Sequence, residues 1–164
     1  MSYASAVERM PPLAILDLRG DPAAIRALLA REALAVPEVA NSRAERDGVA
    51  VAWVGPRHWL AMAPSEREEP MAERLAHADV ATVVVSDAWM RFRVSGPERS
   101  EILAQACPLD TDPRAFPTNG ATFTEIFGQK GLLTRRGDAF DCFVDSSFAS
   151  YVADWFARCG ARMA

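Results

Sequence analysis

The stretch from Val80 to Asp110 constrains the fold more than any other part of this 164-residue chain. Val80 to Val85 is an apolar, β-branched run of the kind that forms a buried strand. Ser86, Asp87 and Ala88 can bend the chain. Met90, Phe92 and Val94 then alternate with Arg91, Arg93 and Ser95, which predicts a strand with one apolar and one wet face. Gly96-Pro97 ends it, and proline is tolerated at a helix start because its missing N–H would have no partner there. Ile102, Leu103 and Ala106 mark one side of a short helix, which Pro108 stops. Two strands and a helix in so few residues indicate an α+β protein.

The segments on either side extend that pattern. Residues 1–12 read as a flexible N-terminal arm ending in Pro11-Pro12, and 13–164 as one domain, or as two subdomains meeting near 80–110. Leu13 to Leu18 is a strand. Asp21-Pro22 gives an N-cap followed by proline at the first helical position, opening a helix to about Leu34. Residues 38–48 are polar and read as a loop. Val49 to Val54 and His58 to Ala63 form a hairpin about Gly55-Pro56. Ser65 and Glu68 have capping-box spacing, although Pro70 places the helix start later, with its end near Ala78. After Pro108, three prolines and a glycine predict a long ordered loop. Ala121 to Phe127, Leu132 to Arg135 and Phe140 to Val144 are strands. Phe148, Tyr151, Val152, Trp155, Phe156 and Cys159 then fall on one helical stripe, closed by Gly160. Such a stripe predicts a docked helix, and Trp155→Ala would then cost roughly 3–5 kcal/mol. The order β-α-β-β-α-β, then β-α, three strands and α, predicts two interleaved ferredoxin-like units with mostly antiparallel sheets.

Composition removes several functions. Half the residues are hydrophobic, enough for a sizeable core, and the net charge is −4. No basic stripe with interleaved aromatics points to nucleic acid. No apolar run is long enough to span a membrane, and the N-terminus lacks the pattern of a signal peptide. The three cysteines, Cys107, Cys142 and Cys159, have no metal-ligand spacing and fit reduced thiols in a cytoplasmic protein.

The residues offer little catalytic chemistry. His58 has no Ser or Cys partner nearby in sequence and reads as a structural or surface group, and His77, near a helix end among Arg74 and Asp79, reads as part of a solvated face. Cys107 lies at a helix C-terminus, where the dipole disfavours a thiolate. Ser95-Gly96-Pro97 lacks the glycines of a phosphate loop. Arg-Gly-Asp occurs at 19–21 and 136–138, as an N-cap and a hairpin turn. The aromatics Trp53, Trp59, Trp89 and Phe116 are either core or interface anchors.

Five segments nevertheless match a known family in order: LDLRGDP (16–22), WVGPRHWL (53–60), VVVSDAWMRFRVSGPE (83–98), ACPLDTDPRAFPTNGATFT (106–124) and SSFASYVADWF (146–156). On these the chain resembles the gamma subunit of heterotetrameric sarcosine oxidase. The resemblance implies a fold similar to the folate-binding domain of aminomethyltransferases and YgfZ-like proteins. It also implies a complex that oxidatively demethylates sarcosine to glycine and passes the one-carbon unit to tetrahydrofolate. Flavin, NAD, folate and zinc then belong to alpha, beta and delta-type partners, with no catalytic, cofactor or metal residue in this chain. Trp53, Arg57, Trp59, Trp89 and Phe116 are the expected subunit interface, and the isolated chain is expected to self-associate. Two alternatives use the same fold. One is a freestanding folate-binding or one-carbon-transfer protein, with Asp87, Asp110 or Glu125 facing a pterin. The other is the equivalent subunit of an N-methyl amino acid dehydrogenase.

Overall fold

The computed structural model describes residues 3–164. Its elements begin with β1 (Ala6–Arg9), β2 (Leu13–Gly20), α1 (Pro22–Arg31), β3 (Ser42–Arg46), β4 (Val49–Gly55), β5 (His58–Pro64), α2 (Glu68–Leu75) and β6 (Val80–Val84). They continue with β7 (Trp89–Ser95), α3 (Arg99–Ala106), β8 (Ala121–Ile126), β9 (Gln129–Arg136), β10 (Ala139–Asp145), α4 (Ala149–Arg158) and β11 (Arg162–Met163). The chain divides into two units, one of Pro12–Ser86 and one of the N-terminal stretch to Pro11 together with Asp87–Ala164.

The Pro12–Ser86 unit has a five-stranded sheet in the order β3-β4-β5-β2-β6, antiparallel at every pairing. Without the edge strand β3, this is the β-α-β-β-α-β unit of ferredoxin-like proteins. Ala14, Leu16, Leu18, Val51, Trp59 and Ala61 form one core with Ile25, Leu28, Leu29, Met71 and Leu75 of the helices. The other unit repeats the element sequence β-α-β-β-β-α-β from β7 to β11, with sheet order β11-β1-β7-β10-β9-β8. The difference is β1, which lies between β7 and β11 where the first unit has nothing. Its core joins Val7, Phe92, Val94, Ile102, Leu103, Leu133, Phe140, Val152 and Phe156.

Residues 3–12 are therefore not a loose arm, and residues 1–2 of that expected arm lie outside the described residues. Val7 is fully buried and pairs with Val94, and Ala6 faces Ser95. Four residues with two apolar positions carry too little periodicity to be recognised alone; their strand character comes from the two neighbours that flank them. Ser5 fixes the start of this strand by accepting from the Glu98 N–H at 2.8 Å and donating to its carboxylate at 3.0 Å. Gly96 is required beside it: its φ is +106°, and a Cβ there would lie 2.7 Å from the Ser5 Cα.

Residues 42–46 likewise form a strand, not part of a loop. The overlooked signal is Asp47-Gly48, both at positive φ (51° and 76°), which closes a two-residue hairpin between Arg46 and Val49. β3 is polar because it lies at the sheet edge.

Local chemistry sets the helix ends. The Asp21 carboxylate caps α1 by accepting from the Ala23 N–H at 2.9 Å. α1 ends at Arg31, short of the expected Leu34, in a Schellman motif: Leu34 N–H donates to Leu29 C=O and Ala33 N–H to Ala30 C=O. α4 ends identically, with Gly160 N–H to Ala157 C=O and Ala161 N–H to Phe156 C=O. The left-handed residue is Gly160 in α4 but Ala33 (φ 55°) in α1. Ala33→Gly is therefore expected to stabilise the protein by about 0.5–1 kcal/mol, read from chemical denaturation; a loss of stability would contradict the motif. At α2, Ser65 does not cap: a 3₁₀ turn over Ser65–Arg67 leads into Glu68, and no side chain bonds the helix start. Pro70 is the third helical residue, where its missing N–H has no intrahelical partner to lose.

Two expectations about faces also change. β6 was expected to be buried, yet only Val80 is; Val83 and Val84 are 56% and 45% exposed. An apolar β-branched run carries no label for edge or centre, and here it is an edge strand paired with β2 alone. On β7 the expected wet face is covered. Arg91 is 8% exposed and Asp141, on β10, is 4% exposed. Asp141 takes a bidentate bond from Arg93 at 2.8 and 2.9 Å, and Arg91 Nη1 lies 3.7 Å away.

Candidate functional site

The residues expected at an interface separate into two groups. Trp59 is fully buried and stacks on Trp53 with ring centres 5.4 Å apart. Phe116 is 4% exposed and stacks on Phe140. Both are core side chains of their own units, which corrects their assignment as surface anchors. Trp53, Arg57 and Trp89 reach the surface. Trp53 is half-buried, donates its indole N–H to Gly55 C=O at 3.0 Å and lies under Arg26, 5.1 Å away. Arg57 is exposed and holds the left-handed corner of the β4–β5 hairpin at φ 59°. Trp89 is half-buried 6.2 Å from Phe123.

The last helix carries a surface that its periodicity did not reveal. Ala149, Val152 and Phe156 are buried, but Phe148, Tyr151 and Trp155 are 42%, 42% and 39% exposed. The six-residue stripe is wider than the face that docks, so the helix packs by one edge and shows the other. Trp155 stacks on Phe127 at 6.0 Å, with Arg158 over its ring at 5.4 Å. Phe127 is held at φ 49° by its N–H bond to Ala106 C=O at 2.7 Å, and its own carbonyl accepts from the Tyr151 hydroxyl. A bulky residue in the left-handed region is uncommon, and it orders this aromatic surface.

Titratable groups are used structurally. His58 Nε2 lies 3.1 Å from Asp17, which also takes a bidentate bond from Arg19. His77 Nδ1 accepts from the Asp79 N–H. Burial pushes the Cys107 thiol up, and it pushes the fully buried Cys142 thiol well up, so neither is poised as a thiolate. Among the described residues no group of His, Cys, Asp and Glu is arranged to hold a metal.

An open cleft of about 400 Å³ lies beside the loop that follows α3. Arg99, Ser100, Leu109, Asp110, Asp112 and Arg135 are among the residues that line it. Arg135 ties the loop in place. Its guanidinium donates to the carbonyls of Thr111 (3.3 Å) and Phe116 (3.0 Å), and its own N–H bonds Gly120 C=O. Asp110 and Asp112 accept backbone N–H groups two residues on, making the loop ordered as expected. Among the described residues no aromatic side chain lines the cleft. Of the other two eligible carboxylates, Asp87 is exposed in a 3₁₀ turn and Glu125 is exposed on β8.

The two α+β units, each with helices inserted between antiparallel strands, define a fold shared with an aminomethyltransferase. The aminomethyltransferase T of the Bartonella henselae glycine cleavage system matches with a TM-score of 0.70 at 11% identity, covering 99% of this chain and 48% of that one. A heterotetrameric sarcosine oxidase from Corynebacterium sp. U-96 matches with a TM-score of 0.85 at 23% identity, covering 95% and 83%. The sequence model of the sarcosine oxidase, gamma subunit family matches residues 18–162, and the chain belongs to that family. It is 32% identical over 112 residues to a sarcosine oxidase subunit gamma from Corynebacterium sp. (strain P-1), covering 66% of this chain and 55% of the relative. It is 33% identical over 105 residues to one from Arthrobacter sp., covering 63% and 50%. The chain thus matches about half the length of these relatives.

Proposed function

We propose that this chain is a non-catalytic gamma subunit of a heterotetrameric sarcosine oxidase-type complex. Its family membership over residues 18–162 carries that reading. The complex demethylates sarcosine oxidatively to glycine and passes the one-carbon unit to tetrahydrofolate. Flavin, NAD, folate and zinc are held by alpha, beta and delta-type partners in the cytoplasm, and this chain contributes a folded platform. Trp53, Arg57 and Trp89 face partners on this reading, joined by the aromatic surface of Phe148, Tyr151 and Trp155. Tryptophan, tyrosine and arginine are enriched among the residues that carry most of an interface's binding energy.

Affinity purification of this chain from its native host tests the proposal. Flavin-bearing partners recovered in stoichiometric amount are the expected result. A solitary chain would reject it, and saturable heat on titrating that chain with tetrahydrofolate would favour the freestanding folate-binding alternative.

A further inference from the structure

We infer that Asn119 is a site of spontaneous deamidation, and that the turn over residues 117–120 sets its rate. The reaction needs only the chain and water. The Gly120 backbone nitrogen attacks the side-chain amide carbon of Asn119. A C–N bond forms, the bond to the amide nitrogen breaks, and ammonia leaves with the proton from Gly120. Water then opens the cyclic imide at either carbonyl. One opening gives aspartate; the other gives isoaspartate, in which the β-carbon joins the main chain.

The fold itself demands the reactive pair. Gly120 is buried against the Phe116 ring, and a Cβ there would lie 2.6, 2.8 and 2.8 Å from three ring carbons. Only glycine fits, and glycine leaves the attacking nitrogen unhindered. Asn119 is exposed. Among the described residues nothing hydrogen-bonds its side chain, so the amide can turn toward that nitrogen. The chain's other asparagine, Asn41, precedes Ser42, whose side chain crowds the corresponding nitrogen.

The same turn restrains the reaction. Gly120 N–H donates to Pro117 C=O at 2.8 Å, and Gly120 C=O accepts from the Arg135 N–H at 2.9 Å. A nitrogen whose proton is held by an acceptor, in a peptide unit fixed on both sides, is not placed to attack. Deamidation of the folded chain therefore proceeds from the fraction in which this turn has opened. Isoaspartate would lengthen the main chain next to the Gly120–Arg135 bond, beside the loop that Arg135 holds through Thr111 and Phe116.

The test is peptide mapping by mass spectrometry of the full chain at mildly alkaline pH, folded and in guanidinium chloride. A gain of about one dalton at Asn119 is expected in both, about 10–100-fold slower in the folded chain. Pro117 is exposed, so Pro117→Gly loosens the turn while Phe116 stays in the core. It is expected to raise the folded rate at least about threefold and to leave the denatured rate unchanged. Asn119→Gln, which would have to close a larger ring, is expected to abolish the gain. Four results overturn the inference: an Asn119 that never converts in the folded chain, equal rates folded and denatured, no acceleration by Pro117→Gly, or a gain that survives Asn119→Gln. None of them bears on the complex proposed above, which copurification reads separately.

Discussion

Phe156→Ala is expected to lower the unfolding free energy by about 3–5 kcal/mol, whereas Trp155→Ala, one position earlier, costs only about 1–2 kcal/mol. Phe156 is fully buried. It meets Phe92 at 5.8 Å and Phe127 edge-on at 4.9 Å, so truncation leaves a cavity lined by rings and α4 cannot collapse into it. Trp155 is the larger side chain, but it is 39% exposed and packs on the outer side of Phe127. Its removal returns solvent to a surface that already has some. Denaturant titration of both variants reads the difference directly, and equal losses would mean that α4 is docked through its whole stripe. The same pair separates stability from assembly, because Trp155→Ala is expected to reduce recovery of partner chains while leaving the fold intact.

Asp141→Ala is the second large effect, with an expected loss of about 3–5 kcal/mol. The carboxylate, on β10, is the shared anion of Arg91 and Arg93, both on the adjacent strand β7. Its bidentate bond to Arg93 holds that guanidinium's pKa above its usual value. Arg91 is in the opposite position: burial lowers its pKa, and Asp141 partly offsets the shift. Its Nη2 donates to Pro11 C=O at 3.2 Å, which leaves Asp141 as its counter-charge. Without the carboxylate, a buried guanidinium faces a second guanidinium with nothing between them. Breaking a buried pair from one side costs far more than exchanging all its members for apolar residues. The triple variant Arg91→Met, Arg93→Leu, Asp141→Leu is therefore expected to recover most of the loss. A single-variant loss below about 1 kcal/mol would show that Asp141 does not compensate Arg91.

The sequence was sufficient wherever structure is local. Asp21-Pro22 opened α1 and Gly160 closed α4 because a cap needs only its own few residues. The hairpins of the second unit followed from turn residues between alternating runs. Family membership was also legible, since five segments keep their order along the chain. The candidate site was legible only in part: three of its five named residues reach the surface, and the aromatic edge of α4 was hidden inside a stripe that looked uniformly apolar.

What only the tertiary structure decided is which side of each element is covered. β1 is a strand because β7 and β11 flank it, and its partners lie more than eighty residues away in sequence. β6 has the composition of a central strand and occupies an edge, since position in a sheet depends on how many neighbours arrive and not on the residues themselves. Arg91 and Arg93 alternate as a solvated face would, yet they close on Asp141 of β10. Periodicity records the geometry of one element and the hydropathy along it; burial is a property of pairs of elements brought together from distant parts of the chain.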